Sequence, residues 1–343
     1  MRLLVLFVAT TVVALAAVGA LDWWVDPFGE FWKPGAVQAA EQARPQCLVS
    51  RDLFRNTPLR FKLGLAKSRG SRTIVLGTSR VTTIPARAGE TNFSNLGVLA
   101  GHLEDARWLL DHLPARPRMT VYLGVEVYWF NPNQGRHDFD PDLYDRARYL
   151  LSWTTLSATV KLLRREPGAL ARRWDVGRNG SRCVVGHGQP ADAWNPDGTF
   201  VWRFELDPST PHVPVVSVDE LKNSFFAGYE GFSSREMAAL NDFLADARRR
   251  RWRVVGFATP FPTAYVRAFE AAPGIGEAWK EFGRALPRVF GRYGYPWLDL
   301  RDVRSIPCAQ SDFVDGGFHA NARCARRIRA LLDAAAARAG AGG

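Results

Sequence analysis

The stretch TIVLGTSRVTT, residues 73–83, places a hydroxyl group where a buried strand ends. Its first four residues have the apolar, β-branched character of a core strand, and a glycine stops them before Thr78 and Ser79. A serine in this position is a nucleophile if a base lies within hydrogen-bond reach and an acid orients that base. It is also suited to cap a helix, since strand, glycine and serine is an ordinary helix start. The stretch by itself favours the cap, and the nucleophile stays the alternative.

The chain has six histidines, and His319 stands apart because it follows two aspartates in a glycine-containing loop. It lies in the loop SDFVDGGFHAN, just before the last predicted helix, with Asp315 and Asp312 upstream. An aspartate a few residues before a histidine on a turn can bind its Nδ1–H and leave Nε2 for a serine. We therefore predict a Ser79–His319–Asp315 triad, against the alternative in which His319 and Asn321 cap the last helix. The remaining histidines lie on a helix surface or lack an acidic partner at a suggestive spacing: His102, His112, His137, His187 and His212.

Apolar strands alternate with amphipathic helices from Thr73 onward. Strands are predicted at TIVLG, MTVYLGV and RVVGFAT, with YPWLDL as a further short strand. Helical patterns fill much of the sequence between them, and the last one begins at about Asn321. This alternation predicts an α/β fold, a parallel sheet covered by helices on both faces. Active sites of such sheets lie beyond the carboxyl ends of the strands, where Ser79, Glu126 and the turn TPFP would meet.

Three short motifs resemble those of the SGNH (GDSL-like) hydrolase superfamily. VLGTSR resembles the first block, whose serine follows the first strand of a flavodoxin-like sheet. NLGV, which contains Gly97, resembles the second block, and DGGFH resembles the last, which supplies aspartate and histidine before the final helix. With the N-terminal apolar segment and DPFG, they resemble the exported, membrane-anchored branch near the alginate O-acetyltransferase-like proteins. The resemblance implies a three-layer flavodoxin-like fold and the activity of a serine hydrolase or O-acyltransferase.

The predicted oxyanion hole departs from the superfamily's pattern. The Gly-x-Asn-Asp block is absent, and Glu126 stands where its asparagine is expected. A carboxylate cannot donate a hydrogen bond to an oxyanion unless it is protonated. The resemblance therefore implies backbone donors at Ser79 and Gly97, with Asn131 as a substitute for the third donor.

The spacing of the last block differs as well. The superfamily has Asp-x-x-His, whereas three residues separate Asp315 from His319 in this chain. Either the turn absorbs the extra glycine, since glycine tolerates unusual dihedral angles, or Asp312 takes over, or the triad is incomplete. The α/β-hydrolase alternative requires a second glycine after the serine, which GTSRV lacks.

Substrate binding is predicted from side chains near the strand ends: Arg80, Glu126 and Trp129. Arg80 either steers an anionic substrate or packs on the sheet edge. Aromatic side chains either form a sugar platform or belong to the core, and the candidates are Trp129, Phe130, Trp194 and Trp202.

The N-terminal sequence MRLLVLFVATTVVALAAVGAL predicts a membrane span, because about nineteen uncharged residues follow its arginine. A cleaved signal peptide has a shorter apolar region, although the small residues that end at Ala20 fit a cleavage site. Arg2 precedes the span, whereas Asp22, Asp26 and Glu30 follow it. The positive-inside rule then predicts a single-pass protein of the bacterial inner membrane with a cytoplasmic N-terminus and a periplasmic body.

The predicted domain organisation has four parts. They are an anchor or signal segment (1–21), a juxtamembrane connector (22–70), the SGNH-like α/β domain (71–338) and a disordered tail (339–343). An insertion at about 168–230 is rich in Gly, Pro, Asp and Trp. We interpret it as carrying a β-hairpin, with TFVWRFEL as its alternating stretch, rather than as a separate domain.

Four cysteines are compatible with an oxidising compartment and up to two disulfides. Cys308 and Cys324 flank one short loop, which makes them the preferred pair and leaves Cys47 with Cys183. A bond between Cys308 and Cys324 would restrain the glycine-containing loop that carries the predicted aspartate and histidine. The cysteine spacing matches no zinc pattern, and neither a metal nor a cofactor is predicted.

The net charge of +11 favours anionic lipid or anionic polysaccharide as a partner. Nucleic acid is not expected, because the body is exported and the usual motifs are missing. The expected function is that of an exported serine esterase or O-acyltransferase acting on acyl groups of cell-envelope carbohydrate. The alternative is a catalytically inert envelope protein of the same fold that binds polysaccharide or a membrane partner. The acyl group, the sugar, hydrolysis versus transfer and the oligomeric state stay open.

Overall fold

The computed structural model describes residues 1–27, 47–50, 58–97, 102–113, 118–134, 150–170, 176–179, 182–185, 192–206, 216–315 and 317–341. The strands in these residues are β1 (Leu48–Ser50), β2 (Thr73–Leu76), β3 (Phe93–Asn95), β4 (Thr120–Val125), β5 (Val176–Asn179), β6 (Arg182–Val185), β7 (Ala193–Trp194), β8 (Phe200–Val201), β9 (Arg253–Ala258) and β10 (Trp297–Leu298). The helices are α1 (Arg2–Val25), α2 (Pro58–Ser68), α3 (Leu103–His112), α4 (Trp153–Arg165), α5 (Arg203–Leu206), α6 (Val218–Asn223), α7 (Ser234–Arg249), α8 (Thr263–Glu270), α9 (Ile275–Arg292) and α10 (Ala322–Ala341).

The chain divides into two compact units. The first unit comprises Met1–Phe61 and Asp140–Pro196, and the second comprises Lys62–Phe139 and Asp197–Gly343. From the sequence, residues 22–70 were predicted to be a connector, and residues from about 168 to 230 were predicted to be an insertion in the α/β domain. The structure instead groups β1 from the former with β5, β6 and β7 from the latter in one sheet.

The sheet of the first unit is built around β1, which is parallel to β6 and antiparallel to β7. Cys47, next to β1, is bonded to Cys183 in β6 with an S–S distance of 2.12 Å, which confirms this predicted pair. A hairpin is present, formed by the antiparallel strands β5 and β6.

The predicted alternating stretch TFVWRFEL is a strand only in its first part. It forms β8 and then the single helical turn α5. The turn is favoured over a strand because the Glu205 carboxylate accepts a hydrogen bond from the backbone N–H of Trp202 at 3.2 Å. This contact satisfies a donor at the start of the helix.

Helix α1 contains the predicted apolar segment and continues for one further turn. Among the described residues it is the one helix long and apolar enough to cross a membrane, with a mean hydropathy of 2.6 and no buried residue in its most apolar part. It ends at Asp26, which has a left-handed conformation (φ 42°) and whose N–H donates to the carbonyl oxygen of Asp22 at 2.9 Å. Trp23 and Trp24 are exposed near this end, as is typical of the membrane–water interface.

The second unit is an α/β fold with a five-stranded parallel sheet in the order β3-β2-β4-β9-β10. The chain places β3 on one side of β2 and then β4, β9 and β10 on the other. The order therefore reverses between β2 and β4. In parallel sheets, the crevice beyond the carboxyl ends of the strands at such a reversal is where ligands bind.

Helices cover both faces of this sheet. On one face, Val75, Tyr122 and Val255 pack with residues of α10 in one buried cluster, and the α10 residues are Cys324, Ala325, Ile328, Leu332 and Ala335. On the other face, Gly256 of β9 lies directly beneath the ring of Phe290 in α9. Burial on both faces explains the nearly continuous apolar sequence of these strands.

The close approach of α9 to the sheet gives a test of the packing. A Cβ added at Gly256 would collide with the Phe290 ring, so Gly256→Ala is expected to lower the free energy of unfolding by about 1–3 kcal/mol. The matched control is Gly64→Ala in α2, where no atom lies within 4 Å of the added Cβ. Its higher helix propensity is expected to leave stability unchanged or raise it by up to about 1 kcal/mol. Denaturant unfolding of the full chain in detergent measures both, and equal midpoints would contradict this packing.

Candidate active site

The turn after β2 has a backbone shape that requires glycine. Gly77 has φ +148°, and a Cβ there would lie 3.0 Å from the carbonyl oxygen of Gly124 and 3.1 Å from the Val81 side chain. A larger residue would be strained and would push β2 away from the end of β4. Gly77 therefore lets the chain leave the sheet sharply and place Ser79 beyond the strand ends.

The residue that caps the turn is Thr78, not Ser79. A single 3-10 turn covers Ser79–Val81, and the Thr78 hydroxyl accepts a hydrogen bond from the backbone N–H of Arg80 at 3.2 Å. The alternative interpretation of Ser79 as a helix cap is thus wrong. The Ser79 hydroxyl instead contacts His319 Nε2.

Ser79, His319 and Asp315 form one continuous hydrogen-bonded chain. Ser79 Oγ lies 2.9 Å from His319 Nε2. His319 Nδ1 lies 2.6 Å from Asp315 Oδ2. The carboxylate is buried, whereas the imidazole side chain keeps 16% of its surface exposed. The three side chains named from the sequence therefore meet in the order of a nucleophile, its base and the carboxylate that orients the base.

The extra residue between Asp315 and His319 is accommodated by the turn itself. Asp315 Oδ1 accepts hydrogen bonds from the backbone N–H groups of Phe318 and His319, both at 2.8 Å. An isolated bridge between Phe313 and Ala320 closes the base of the same loop. One carboxylate oxygen thus holds the turn while the other faces the imidazole.

Asp312 does not take over the role of Asp315. It is buried and forms an ion pair with Arg323 at 2.6 Å, and it accepts a hydrogen bond from the backbone N–H of Ala309 at 2.8 Å. Asn321 is the cap of α10, since its side-chain oxygen accepts from Cys324 N–H at 3.0 Å. The capping alternative thus holds for Asn321, while both ring nitrogens of His319 have other partners.

The environment of Asp315 keeps its carboxyl group ionised. Burial raises the pKa of Asp315. Hydrogen bonds from His319 and from the Phe318 N–H, together with the charge of the His319 side chain, lower it by more than burial raises it. The pKa therefore lies below its ordinary value. The stabilisation from these bonds is present at neutral pH and is lost as the pH falls through the lowered pKa. An ionised Asp315 accepts from Nδ1–H, which leaves Nε2 as the acceptor for the serine proton.

Arg80 and Glu126 form a buried ion pair beside the triad. Arg80 Nη1 lies 2.7 Å from Glu126 Oε2, and each side chain is 1% exposed. Glu126 also accepts hydrogen bonds from Thr78 Oγ1 at 2.9 Å and from Thr259 Oγ1 at 2.6 Å. The prediction that Arg80 and Glu126 bind substrate is corrected, because this pairing removes both charges from solvent.

The remaining donors of Arg80 tie the ion pair to neighbouring backbone. Nε donates to the carbonyl oxygen of Phe318 at 3.0 Å, and Nη2 donates to the carbonyl oxygen of Pro260. The guanidinium lies 3.5 Å from the centroid of the Phe261 ring. Arg80 therefore fixes the residue next to His319 against the turn TPFP, which the sequence placed at this edge.

Two of the three donors predicted for the oxyanion hole, Gly97 N–H and the Asn131 amide, donate to other acceptors in the protein. Gly97 N–H donates to Asn95 Oδ1 at 2.7 Å. The Asn131 amide donates to the carbonyl oxygens of Phe225 at 3.4 Å and Ala227 at 2.9 Å. Ser79 N–H has no acceptor among the residues that the structure describes. It is the predicted donor that remains available to a ligand.

For three of the four aromatic candidates, the structure supports the core alternative and not the sugar platform. Trp129 and Phe130 have no exposed surface, and Trp194 is buried in the first unit. All four residues of the turn after β4, Val127–Phe130, are buried. The rings of Trp129 and Phe130 therefore belong to the core and, like that of Trp194, offer no face to a sugar.

Trp202, which the sequence named as a candidate for the sugar platform, is a neighbour of the triad. Its ring centroid lies 5.4 Å from that of His319 in an edge-on arrangement, and its side chain is buried. Within the described part of the chain, its indole N–H has no hydrogen-bond partner. No sequence pattern indicated this particular contact, because Trp202 precedes His319 by more than a hundred residues.

Together these groups can perform acyl transfer to and from a serine. The hydroxyl has a base at hydrogen-bond distance, the base has an oriented carboxylate, and one backbone N–H is available beside the hydroxyl. In the described ranges no group of three or more His, Cys, Asp or Glu side chains could hold a metal ion.

Comparison with known proteins leaves the chain unassigned. No protein-family model matches it, and no curated protein matches its sequence.

The Cys308–Cys324 disulfide, confirmed with an S–S distance of 2.09 Å, gives a prediction about the loop between them. Replacing both cysteines by alanine removes a constraint worth about 3 kcal/mol in the chain-entropy model. We expect faster hydrogen exchange at the backbone amides of Phe318 and His319, since both depend on the loop's closure. Exchange measured by mass spectrometry checks this.

The matched control replaces Cys47 and Cys183 by alanine, which removes a disulfide in the first unit. It is expected to leave these two amides unchanged. Equal protection of Phe318 and His319 in the Cys308/Cys324 variant and the natural protein would contradict a positioning role for that bond.

The buried ion pair gives a second prediction. Arg80→Met leaves the Glu126 carboxylate buried without its counter-charge and is expected to lower the free energy of unfolding by about 3–5 kcal/mol. The double variant Arg80→Met/Glu126→Gln removes both charges and is expected to lose less than the single variant. Denaturant unfolding measures the cycle. If the loss in the double variant equals the sum of the losses in Arg80→Met and Glu126→Gln, the two side chains are not coupled.

Proposed function

We propose that the protein is a serine esterase or O-acyltransferase whose triad is Ser79, His319 and Asp315. The observation that carries this proposal is the unbroken contact chain from the Asp315 carboxylate through both imidazole nitrogens to the Ser79 hydroxyl. Burial of the aspartate and partial exposure of the histidine add to it, because a substrate must reach the serine side of the ring and not the aspartate side.

In the proposed mechanism, Ser79 Oγ attacks the acyl carbonyl carbon while its proton passes to His319 Nε2. The Asp315 carboxylate stabilises the imidazolium that forms. As the tetrahedral intermediate collapses, the imidazolium gives the proton to the departing alcohol, and the acyl group remains on Ser79 as an ester. A water molecule or a sugar hydroxyl then attacks this ester by the same steps, which gives hydrolysis or transfer respectively.

Stabilisation of the intermediate's oxyanion is assigned to Ser79 N–H. A backbone donor aimed at the developing charge is worth about 3–4 kcal/mol in comparable sites. The buried indole N–H of Trp202, beside His319, is a further donor near the triad that has no partner among the described residues.

The strand order supports a relationship to the SGNH superfamily. Counted along the chain, the parallel sheet of the second unit has the order 2-1-3-4-5, which is the flavodoxin-like order. The serine follows the first of these strands at the reversal point, and the aspartate and histidine immediately precede the last helix. Both positions agree with the blocks that the sequence resembles.

We further propose acylated cell-envelope carbohydrate as the substrate and the bacterial inner membrane as the site of attachment. The apolar helix α1 and the two disulfides fit an anchored body on the oxidising side of a membrane. The excess of positive charge suits an anionic polysaccharide. With Arg2 ahead of α1, the proposed orientation has the N-terminus in the cytoplasm and the body in the periplasm.

A second candidate function is an inert envelope protein that binds glycan or a membrane partner with the same fold. The observation that favours it is the engagement of Gly97 N–H and the Asn131 amide by other acceptors. A site with a single available backbone donor would turn over slowly or not at all.

The two candidates are separated by the reactivity of Ser79. We expect Ser79→Ala to lower the hydrolysis of 4-nitrophenyl acetate at least about 10³-fold and Asp315→Asn to lower it about 10⁴-fold. The matched control is Ser234→Ala, at an exposed serine on the first turn of α7, which is expected to keep full activity.

Labelling by a fluorophosphonate probe is the companion measurement. The enzyme is expected to react with the probe at Ser79, and the label is expected to vanish in Ser79→Ala and persist in Ser234→Ala. Turnover and labelling that do not depend on Ser79 would refute the triad. Absence of both in the natural protein would establish the inert alternative.

A further inference from the structure

Helix α4 packs against the C-terminal end of α1, just after the apolar stretch of that helix. The Thr159 hydroxyl donates to Asp22 Oδ1 at 2.7 Å, and both residues are fully buried. A Cβ added at Gly19 would lie 3.6 Å from the Leu151 side chain, so the segment before α4 also touches α1. The position of α4 is therefore set by the last two turns of α1.

The opposite side of α4 and the residues before it expose apolar surface. Trp153 is 79% exposed, Leu151 is 48% exposed and Val160 is 37% exposed. Outside α1, these three are the only large apolar side chains that are exposed in the described part of the chain. These exposed apolar side chains lie together next to α1, and an exposed apolar patch of this kind is typical of a surface that contacts a membrane or another protein.

The same side of α4 is cationic. Lys161, Arg164 and Arg165 are exposed, and the helix sequence WTTLSATVKLLRR contains no acidic residue. At 3.6 residues per turn, Trp153, Val160 and Arg164 lie within about 40° of one another around the helix axis. An apolar stripe edged by arginine and lysine is the pattern of a helix that lies in a membrane interface.

We propose that α4 is an interfacial helix that lies on the same bilayer that α1 spans. Its apolar residues Leu151, Trp153 and Val160 enter the boundary between headgroups and acyl chains. Lys161, Arg164 and Arg165 contact anionic phospholipid headgroups. The lipid surface is favoured over a protein partner for two reasons. Leu151, which belongs to the patch, touches the apolar helix α1 at Gly19, and the charged side chains of α4 are all cationic.

The test uses the full chain with Trp153→Cys, since the natural cysteines are bonded in disulfides. The thiol carries a fluorophore, and the protein is reconstituted in vesicles of phosphatidylcholine and phosphatidylglycerol. Nitroxide attached to lipid acyl chains is expected to quench this label at least about twofold more than a label at Lys280→Cys on α9. Aqueous iodide is expected to quench the two labels in the opposite order. Val5→Cys in α1 is the control for a residue inside the bilayer.

Two results would overturn the proposal. A label at position 153 that iodide quenches and lipid nitroxide does not would place α4 in water. A label protected from both quenchers would show that protein, such as a second copy of the chain, covers the helix instead of lipid.

The proposed contact between the cationic side chains of α4 and anionic headgroups is tested by adding Arg164→Glu to the labelled Trp153→Cys variant. Lipid quenching is expected to fall at least about twofold in vesicles that contain phosphatidylglycerol and to change little in pure phosphatidylcholine. Lys280→Glu, which changes the net charge equally, is expected to leave the quenching unchanged. Equal effects of Arg164→Glu in both kinds of vesicle would contradict a contact with anionic headgroups.

Discussion

The buried ion pair of Arg80 and Glu126 is the interaction on which the edge of the second unit's sheet depends. A charge removed from water costs several kcal/mol unless it is paired and its hydrogen bonds are made, and here both conditions are met. The partners come from the ends of β2, β4 and β9 and from the loop that carries His319. The pair therefore joins the elements that must be held together for Ser79 to meet its base. It also explains why position 126 is a carboxylate, since an amide there would leave Arg80 without a counter-charge.

The loop with Asp315 and His319 is restrained at its base, within its turn and at its tip. The Cys308–Cys324 disulfide and the bridge between Phe313 and Ala320 close the base. Asp315 holds the turn through two backbone N–H groups, and Arg80 holds the Phe318 carbonyl at the tip. A glycine-containing loop of this kind would otherwise sample many conformations. Because these restraints act on both sides of His319 and on its own backbone, the imidazole has little freedom except to face the serine.

The first unit follows a different principle, because its sheet is assembled from segments far apart in the chain. The disulfide between Cys47 and Cys183 joins positions 136 residues apart, at the two strands that also pair with each other. The end of α1 is then fastened to α4 by a buried hydrogen bond between Asp22 and Thr159. The C-terminal end of the apolar N-terminal helix is thus packed against its unit, whereas the apolar stretch before it stays exposed.

The sequence alone determined the features that depend on local pattern. The apolar run of α1, the alternation of strand and helix in the second unit and the Cys308–Cys324 pair follow from composition, periodicity and short spacing. The candidate triad of Ser79, Asp315 and His319 was also named from strand ends and turn residues. The tertiary structure decided whatever depends on contacts between distant segments. It brought β1 to β6, paired Arg80 with Glu126, engaged Gly97 and Asn131 with other acceptors, and placed Trp202 beside His319. Periodicity shows which face of an element is buried, but it carries no information on which partner the buried groups meet.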